Sequence, residues 1–177
     1  MRLFTAVMLP TEVRSHLEQI QRTHLAPRRL SIVRPENLHI TLKFLGDIPD
    51  TKFRLLREAL RSVPVETMTL VADRFEVFPS RGPVRVIAAG VGGDAGKVAL
   101  LYRQIEEVAA HFDVQRERRE FKPHVTLARA REGVPRNSAF ESGAPWPGPS
   151  FVTARFSLVS STLSSTGSKY ESMETYP

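Results

Sequence analysis

The chain has 177 residues, 41% of them hydrophobic, no cysteine, and a formal net charge of +6. This length suits one domain or two closely packed lobes, and the apolar share is enough for a true core. The lack of cysteine excludes disulfides and thiolate chemistry and fits a cytoplasmic location. No apolar run reaches the roughly 18 residues of a membrane helix. The basic charge favours polyanionic partners such as nucleic acid, although many small proteins are basic for other reasons.

The first half of the chain predicts alternating strands and helices. In order these are a strand at 3–9, a helix at 11–24, a strand at 37–45, a helix at 50–63 and a strand at 68–78. The apolar start leads directly into Pro10 and Thr11, which indicates a first strand and not a signal peptide. Thr11 and Asp50 are the candidate N-caps, and Pro27 ends the first helix. Pro79 to Pro83 is the strongest turn signal of the chain.

The second half begins the same order again. It predicts a strand at 84–91, a helix stripe at 98–112 with Asp94 as its capping residue, and a strand from 124 onwards. After it come a long loop at 132–150 and two strands, at 151–163 and 168–176, which are joined by a hairpin at 164–167.

The fold class is therefore α+β, a bilobal pseudo-two-fold repeat. Each lobe is an antiparallel sheet backed by helices, with a central cleft. We expect one domain over 1–177, with lobes intermixed from about 1–83 and 84–177.

One short motif occurs twice. His39-Ile40-Thr41-Leu42 returns as His124-Val125-Thr126-Leu127, 85 residues later and close to half the length of the chain. In a strand, successive side chains point to opposite faces, so each histidine shares a face with its threonine and the apolar residues lie behind them. Two such units facing each other set two histidines and two threonines around one cleft.

Two histidines in one cleft suit acid–base chemistry on a phosphodiester. At neutral pH one imidazole can be neutral and act as a base while the other is protonated and acts as an acid. Attack of water on a strained cyclic phosphodiester needs both. Thr41 and Thr126 are placed to donate to the phosphate oxygens, and no metal or cofactor is needed. Histidines as metal ligands are a weaker hypothesis, since the motifs hold no close Asp, Glu or Cys.

The two motif regions resemble a known superfamily. Residues 35–46 read PENLHITLKFLG, and residues 121–129 read FKPHVTLAR. They resemble the two-histidine phosphoesterases and, within them, the RNA 2′,3′-cyclic phosphodiesterases, first named 2′-5′ RNA ligases; the likeness covers nearly the whole chain. The resemblance implies hydrolysis of RNA 2′,3′-cyclic phosphate ends to 2′-phosphates. It also implies that His39 is the proton donor to the leaving 3′ oxygen and His124 the base for water, roles that spacing alone cannot assign.

Positive charge near the motifs is harder to interpret. The resemblance makes Arg129 a phosphate ligand, whereas strict alternation turns it away from His124 unless a bulge intervenes. Lys43 falls on the face of His39, where it either adds positive potential or is a solvated strand-end residue. Further arginines flank the motif strands and are either solvated or mark the path of an RNA backbone: Arg28, Arg29, Arg34, Arg116, Arg118, Arg119 and Arg131.

Two alternatives stay open beside hydrolysis. An RNA ligase would use the same site in reverse to join a cyclic end to a 5′-hydroxyl. A non-catalytic RNA-binding module would fit the basic loops but leaves the repeated His/Thr faces unexplained. For either, the expected partner is RNA, with no membrane, and we expect a monomer.

Overall fold

The computed structural model describes residues 1–25, 29–136, 143, 145–164 and 167–177. Its strands are β1 (Arg2–Met8), β2 (Ser31–Ile32), β3 (His39–Asp47), β4 (Met68–Phe78), β5 (Val84–Gly93), β6 (His124–Val134), β7 (Ser150–Thr153), β8 (Phe156–Ser164) and β9 (Gly167–Tyr176). Its helices are α1 (Thr11–His24), α2 (Asp50–Leu60) and α3 (Ala95–Ala110), with a 3₁₀ turn at Pro35–Asn37. Within these described residues, no helix has the length and apolar character needed to cross a membrane.

The strands form a single antiparallel sheet with the order β7-β4-β5-β6-β3-β1-β8-β9, and β2 pairs with β6. The motif strands β3 and β6 are neighbours at its centre, where Ile40 lies opposite Val125. Only Ala154 and Arg155 join β7, at one edge, to β8, near the other edge. Because a chain spans at most about 3.6 Å per residue, this link covers roughly 10 Å. The sheet must therefore curl until its two ends approach each other.

The helices cover one face of this sheet. Leu17 of α1, Leu56 of α2 and Ile105 of α3 are fully buried in the same apolar core as Ile40 and Val125 of the motif strands. We call this side the core face. Burial of such side chains is worth about 1.5–3 kcal/mol each and anchors the two motif strands. The opposite side, which we call the cleft face, carries the motif histidines and threonines.

The α+β class predicted from the sequence is confirmed. On either side of the β3–β6 pair, the sheet draws strands from both halves of the chain, since β4 pairs with β5 and β8 pairs with β1. That residues 1–177 form a single domain of two intermixed lobes stays a prediction.

The helix starts differ from those predicted. Pro10 and Pro49 take the N-cap positions of α1 and α2, so Thr11 and Asp50 are the first helical residues instead. A proline with extended backbone ends the preceding segment, and its side chain has no acceptor with which to cap the helix. Asp94 does take the N-cap position of α3, but its carboxylate accepts from the Thr69 backbone N–H at 2.9 Å and does not cap the helix. The predicted stop at Pro27 lies outside the described residues.

The strand predicted at 151–163 is wrong as a single element. Its first part is β7, which pairs with β4, and its second part is β8, which pairs with β1 on the other side of the sheet. Both parts are rich in apolar and β-branched residues, so the sequence does not reveal that their partners differ. The hairpin after β8 is present, since Ser164 lies opposite Gly167, while its two central residues lie outside the described residues.

Candidate active site

His39 and His124 each begin a motif strand, and these strands lie side by side. Both imidazoles are half-buried on the cleft face, while Ile40 and Val125 behind them are fully buried. In the antiparallel register set by Ile40 and Val125, the two histidines are diagonal neighbours. Such neighbours lie roughly 7–8 Å apart, a span that one bound phosphate can bridge. The structure thus brings the two predicted histidines together.

A backbone carbonyl orients each imidazole in the same way. His39 Nδ1 lies 2.7 Å from the Asn37 carbonyl oxygen, and His124 Nδ1 lies 2.7 Å from that of Lys122. A carbonyl oxygen only accepts, so Nδ1 carries the proton in both rings and donates it. This leaves Nε2 of each neutral ring as the basic atom in the cleft. Such a fixed tautomer is what a histidine needs for proton transfer at one defined atom.

The rings are also held by packing. Each histidine lies against a phenylalanine with a centroid separation of 4.9 Å, Phe4 for His39 and Phe78 for His124. His39 Nε2 also lies 2.9 Å from Thr41 Oγ1. The hydroxyl can donate to the neutral ring and accept from the protonated one. Thr126 is half-buried on the same face as His124, so both threonines stand where the sequence predicted them.

A β-bulge interrupts each motif strand at the same point. Pairing of β3 with β1 skips Leu42, and pairing of β6 with β5 skips Leu127. After each bulge two successive side chains are buried, and the alternation of faces is reversed. Residues beyond the bulges therefore change sides relative to strict alternation.

The bulge at Leu127 decides where Arg129 lies. Arg129 is exposed and follows two buried residues, which returns it to the face of His124 and Thr126. Its charge acts on both histidines and lowers the pKa of each. The expectation from strict alternation is therefore wrong, and Arg129 lies on the cleft face, where its charge acts on both imidazoles.

The chain has clear relatives among known proteins. The family model described as LigT-like phosphoesterase matches residues 7–88. The chain is 33% identical to a protein of Thermus thermophilus named RNA 2′,3′-cyclic phosphodiesterase, over 99% of this chain and 89% of that one. A protein of the same name from Archaeoglobus fulgidus is 30% identical over 76% of each chain. This chain belongs to the LigT-like phosphoesterase family.

Solved structures of this phosphoesterase family share the whole fold. A crystal structure of a protein from Thermus thermophilus superposes with a TM-score of 0.80 at 31% identity and covers 99% of this chain and 97% of that one. The crystal structure of Escherichia coli LigT complexed with phosphate gives a TM-score of 0.76 at 25% identity, over 99% and 95% of the chains. The resemblance drawn from the two motifs is confirmed.

Lys43 does not face the cleft of this phosphoesterase. It follows the bulge at Leu42 and is buried, with 2% of its side chain exposed, in an ion pair with Glu106 of α3. Its Nζ also donates to the Gln115 carbonyl oxygen at 2.6 Å. The interpretation of Lys43 as a cleft-face or solvated cation is wrong because the bulge turns it into the core. It ties the first motif strand to the segment that leads into the second.

Gln21 is a site residue that the sequence analysis missed. It is 3% exposed, and its Nε2 donates to the carbonyl oxygens of Val33 at 2.8 Å and Leu127 at 2.9 Å. The Val33 N–H donates to the same Leu127 oxygen at 2.9 Å. Gln21 thereby holds the bulge that orients Arg129. Its spacing of four from Leu17 was an available signal, since it puts a polar residue on the buried stripe of α1.

Replacing Gln21 by leucine is expected to lower the free energy of unfolding by about 1–3 kcal/mol, because the Val33 carbonyl loses its side-chain donor and the Leu127 carbonyl keeps only the Val33 N–H. Relaxation of the bulge also moves Arg129 away from the histidines. Urea unfolding gives the first effect, and the pKa values of His39 and His124 measured by NMR give the second. Gln19→Leu, on the exposed side of the same helix, is the matched control. Unchanged stability and unchanged histidine pKa values in Gln21→Leu would contradict this role.

Burial and charge set the proton affinity of the two imidazoles. Burial lowers the pKa of His39, the Asn37 carbonyl opposes this shift, and Arg129 and then His124 add to it. Burial likewise lowers the pKa of His124, with the Lys122 carbonyl opposing; Arg129 lowers that pKa further and Glu76 raises it. Both rings are therefore biased towards the neutral form in the free protein. A bound anion restores the protonated form of one of them.

The Glu76 side chain lies over the glycine that pairs with His124. Gly90 pairs with His124, and a Cβ at Gly90 would lie 2.8 Å from Glu76 Cγ and 3.0 Å from the Arg74 side chain. Arg74 Nε lies 3.6 Å from the Glu76 carboxylate. Any larger residue at 90 would push this pair away from the second histidine.

One of the flanking arginines is already engaged in an ion pair. Arg116 is held by the Glu107 carboxylate through bonds of 2.7 and 2.6 Å, so its charge is already paired. Arg28 lies outside the described residues. In the part of the chain that the structure describes, no three His, Cys, Asp or Glu side chains are grouped as metal ligands.

Proposed function

We propose that this protein hydrolyses RNA 2′,3′-cyclic phosphate ends to 2′-phosphomonoesters. The carrying observation is the pair of imidazoles on neighbouring strands, each fixed through Nδ1 by a carbonyl, which leaves Nε2 as the atom that exchanges a proton. Relatives from Thermus thermophilus and Archaeoglobus fulgidus bear the name RNA 2′,3′-cyclic phosphodiesterase, which supports the substrate class. Cytoplasmic location and a monomeric state remain predictions.

The proposed reaction moves one proton at each histidine. Water attacks phosphorus and gives its proton to Nε2 of His124, while the bond from phosphorus to the 3′ oxygen breaks. His39 Nε2 donates its proton to that leaving oxygen. The product is a 2′-phosphomonoester and a free 3′-hydroxyl. The two histidines exchange protonation states, and solvent restores them before the next turnover.

The remaining residues bind the charge that gathers on phosphorus. Thr41 and Thr126 share the cleft face with the histidines, and Arg129 returns to this face after the bulge. We propose that the two hydroxyls and the guanidinium donate to the non-bridging phosphate oxygens. Donors fixed before the reaction stabilise the transition state at no cost of reorganisation. The negative phosphate also raises the pKa of His39, which favours its role as the acid.

The test uses an oligonucleotide that ends in a 2′,3′-cyclic phosphate, incubated with the protein in excess EDTA. We expect a 2′-phosphate product at an undiminished rate, because no step uses a metal. Addition of a 5′-hydroxyl oligonucleotide separates hydrolysis from ligation, and we expect hydrolysis to dominate because water is abundant. Loss of turnover in EDTA, or binding with no turnover, would contradict the proposal.

Arg129 gives a prediction about pH. Its positive charge opposes protonation of both histidines, so Arg129→Gln is expected to raise both pKa values and move both limbs of the kcat/KM profile to higher pH. The maximum rate also falls, because a phosphate donor is lost. Arg129→Lys keeps the charge and is expected to leave the limbs in place. A Gln variant whose limbs stay fixed or move to lower pH would show that Arg129 does not act on the imidazoles.

A further inference from the structure

The strands beside the two motif histidines carry different residues at the equivalent place. Met8 of β1 lies opposite His39, and Gly90 of β5 lies opposite His124. Met8 sets an apolar side chain beside the first ring, on which Phe4 also packs. Gly90 has no side chain, so the place beside the second ring is open to residues of the next strand, β4.

A carboxylate side chain of β4 fills the place that Gly90 leaves open. A Cβ at residue 90 would lie 2.8 Å from Glu76 Cγ. Directly opposed residues of two strands have Cβ atoms about 4.5–5.5 Å apart. Glu76 therefore lies next to His124, although a whole strand separates their backbones. The Glu76 side chain is 26% exposed, so solvent screens its charge only in part.

Arg74 holds Glu76 in this place without neutralising it fully. Its Nε lies 3.6 Å from the Glu76 carboxylate, and its Nη1 lies 2.8 Å from the Asp73 carboxylate. The guanidinium also extends along β5, since a Cβ at Gly92 would lie 3.3 Å from Nη1. The charge of Arg74 is thus shared between two carboxylates, and the shorter ion pair is the one with Asp73. Glu76 keeps part of its negative charge for His124.

The charges around the two rings differ in this one carboxylate. Within the described residues, the charges that face His124 are Arg129 on its own strand, His39 on β3, and Arg74 with Glu76 on β4. Arg129 disfavours the protonated ring of His124, and Glu76 favours it. The charges that act on His39 are those of Arg129 and His124, which are both positive.

We propose that Glu76 is a positioning residue whose carboxylate, held by Arg74 above Gly90, stabilises the imidazolium that forms at His124 as the attacking water loses its proton. This role rests on the proposed function and explains what supports the base. The proton stays on His124, and Glu76 only stabilises the charge, as a carboxylate does beside a catalytic histidine. Because the imidazolium forms during the reaction, Glu76 acts on kcat. Its charge repels the anionic substrate, so it does not lower KM.

Glu76→Gln removes the charge and keeps the size of the side chain. We expect the pKa of His124, followed by NMR in the free protein, to fall. We expect kcat for a 2′,3′-cyclic phosphate end to fall by up to about 5-fold, the usual worth of a partly exposed charge pair, while KM does not rise. The rates are compared at a pH above the titration of both rings, so that His124 is equally neutral in each variant.

Three further variants define this result. Glu76→Asp keeps the charge and is expected to retain most of kcat. Arg74→Gln removes the counter-ion, so it is expected to raise the pKa of His124. Glu12→Gln, at the exposed start of α1, makes the same change of net charge far from the cleft and should alter neither quantity. Gly90→Ala displaces the Glu76 side chain and serves if the glutamine variant is unfolded; it is expected to lower the same pKa.

Failure of this role and failure of the proposed function give different results. If wild type leaves the cyclic phosphate intact, the proposed function fails, whereas the titration of His124 needs no substrate. If wild type is active and Glu76→Gln leaves the pKa of His124 unchanged or raises it, only the role of Glu76 is wrong. A raised KM with an unchanged pKa of His124 would show that Glu76 merely shapes the cleft, which also contradicts the proposal.

Discussion

Replacement of His124 by alanine is expected to lower kcat for a 2′,3′-cyclic phosphate end by about 10²–10⁴-fold, the usual worth of a positioned acid or base. His39→Ala is expected to lose a similar factor. Each ring presents Nε2 to the cleft only because its Nδ1 is bound to a carbonyl two residues earlier. The alanine variants should still fold, since both imidazoles are only half-buried.

The double variant His39→Ala with His124→Ala tests whether the two histidines act in the same step. If His39 and His124 act on one phosphorus atom, removing both is expected to cost little more than removing either. His111→Ala, at the exposed C-terminal end of α3, is the matched control and should keep full activity. Independent, multiplying losses in the double variant would place the two histidines in separate events. If either single variant keeps a near-normal kcat, the histidine it replaces takes no part in the mechanism.

Lys43→Met is expected to give the largest loss of stability, about 3–5 kcal/mol, because it leaves the Glu106 carboxylate buried without its counter-ion. Lys43 and Glu106 have 2% and 7% of their side chains exposed. The variant also removes the donor to the Gln115 carbonyl, which frees the segment before His124. The free energy of unfolding in urea measures the first effect, and a fall in kcat under native conditions reports the second.

Two controls define this result. Lys43→Met combined with Glu106→Leu removes both charges, and we expect most of the lost stability to return, as is found when buried ion pairs become apolar. Lys52→Met breaks the exposed pair with Asp113, 2.5 Å apart, and should have little measurable effect. If Lys43→Met is no worse than Lys52→Met, the buried pair does not support the site.

The strands that hold the site could be predicted from the sequence. The face on which each side chain lies beyond the two motifs could not. Repetition of His-x-Thr on an alternating pattern was enough to put His39 and His124 on neighbouring, equivalent strands. Alternation then fails at the bulges, because a bulge depends on the partner strand and not on the strand itself. The alternating pattern put Lys43 on the face of His39, whereas it lies in the core. For Arg129 two faces were possible, and the register of β6 with β5 decides between them.

Long-range partners explain the other differences. Gln21 contacts Leu127 across 106 residues, so only its place on an apolar helix stripe could have drawn attention to it. The strand predicted at 151–163 divides because its two parts find partners on opposite sides of a curled sheet. The contact of Phe4 with Tyr170 joins the first strand to the last because β1 and β9 lie on either side of β8.

The most direct measurement is an NMR pH titration of the His39 and His124 rings, with and without a bound nucleoside 2′-phosphate. In the free protein both are expected to titrate below the ordinary histidine pKa of about 6.5, since burial and Arg129 lower both values. With the phosphate bound, both pKa values should rise together, since one anion faces both Nε2 atoms. If the ligand binds and either ring keeps its free pKa, the two histidines do not share a phosphate and the proposed mechanism is wrong.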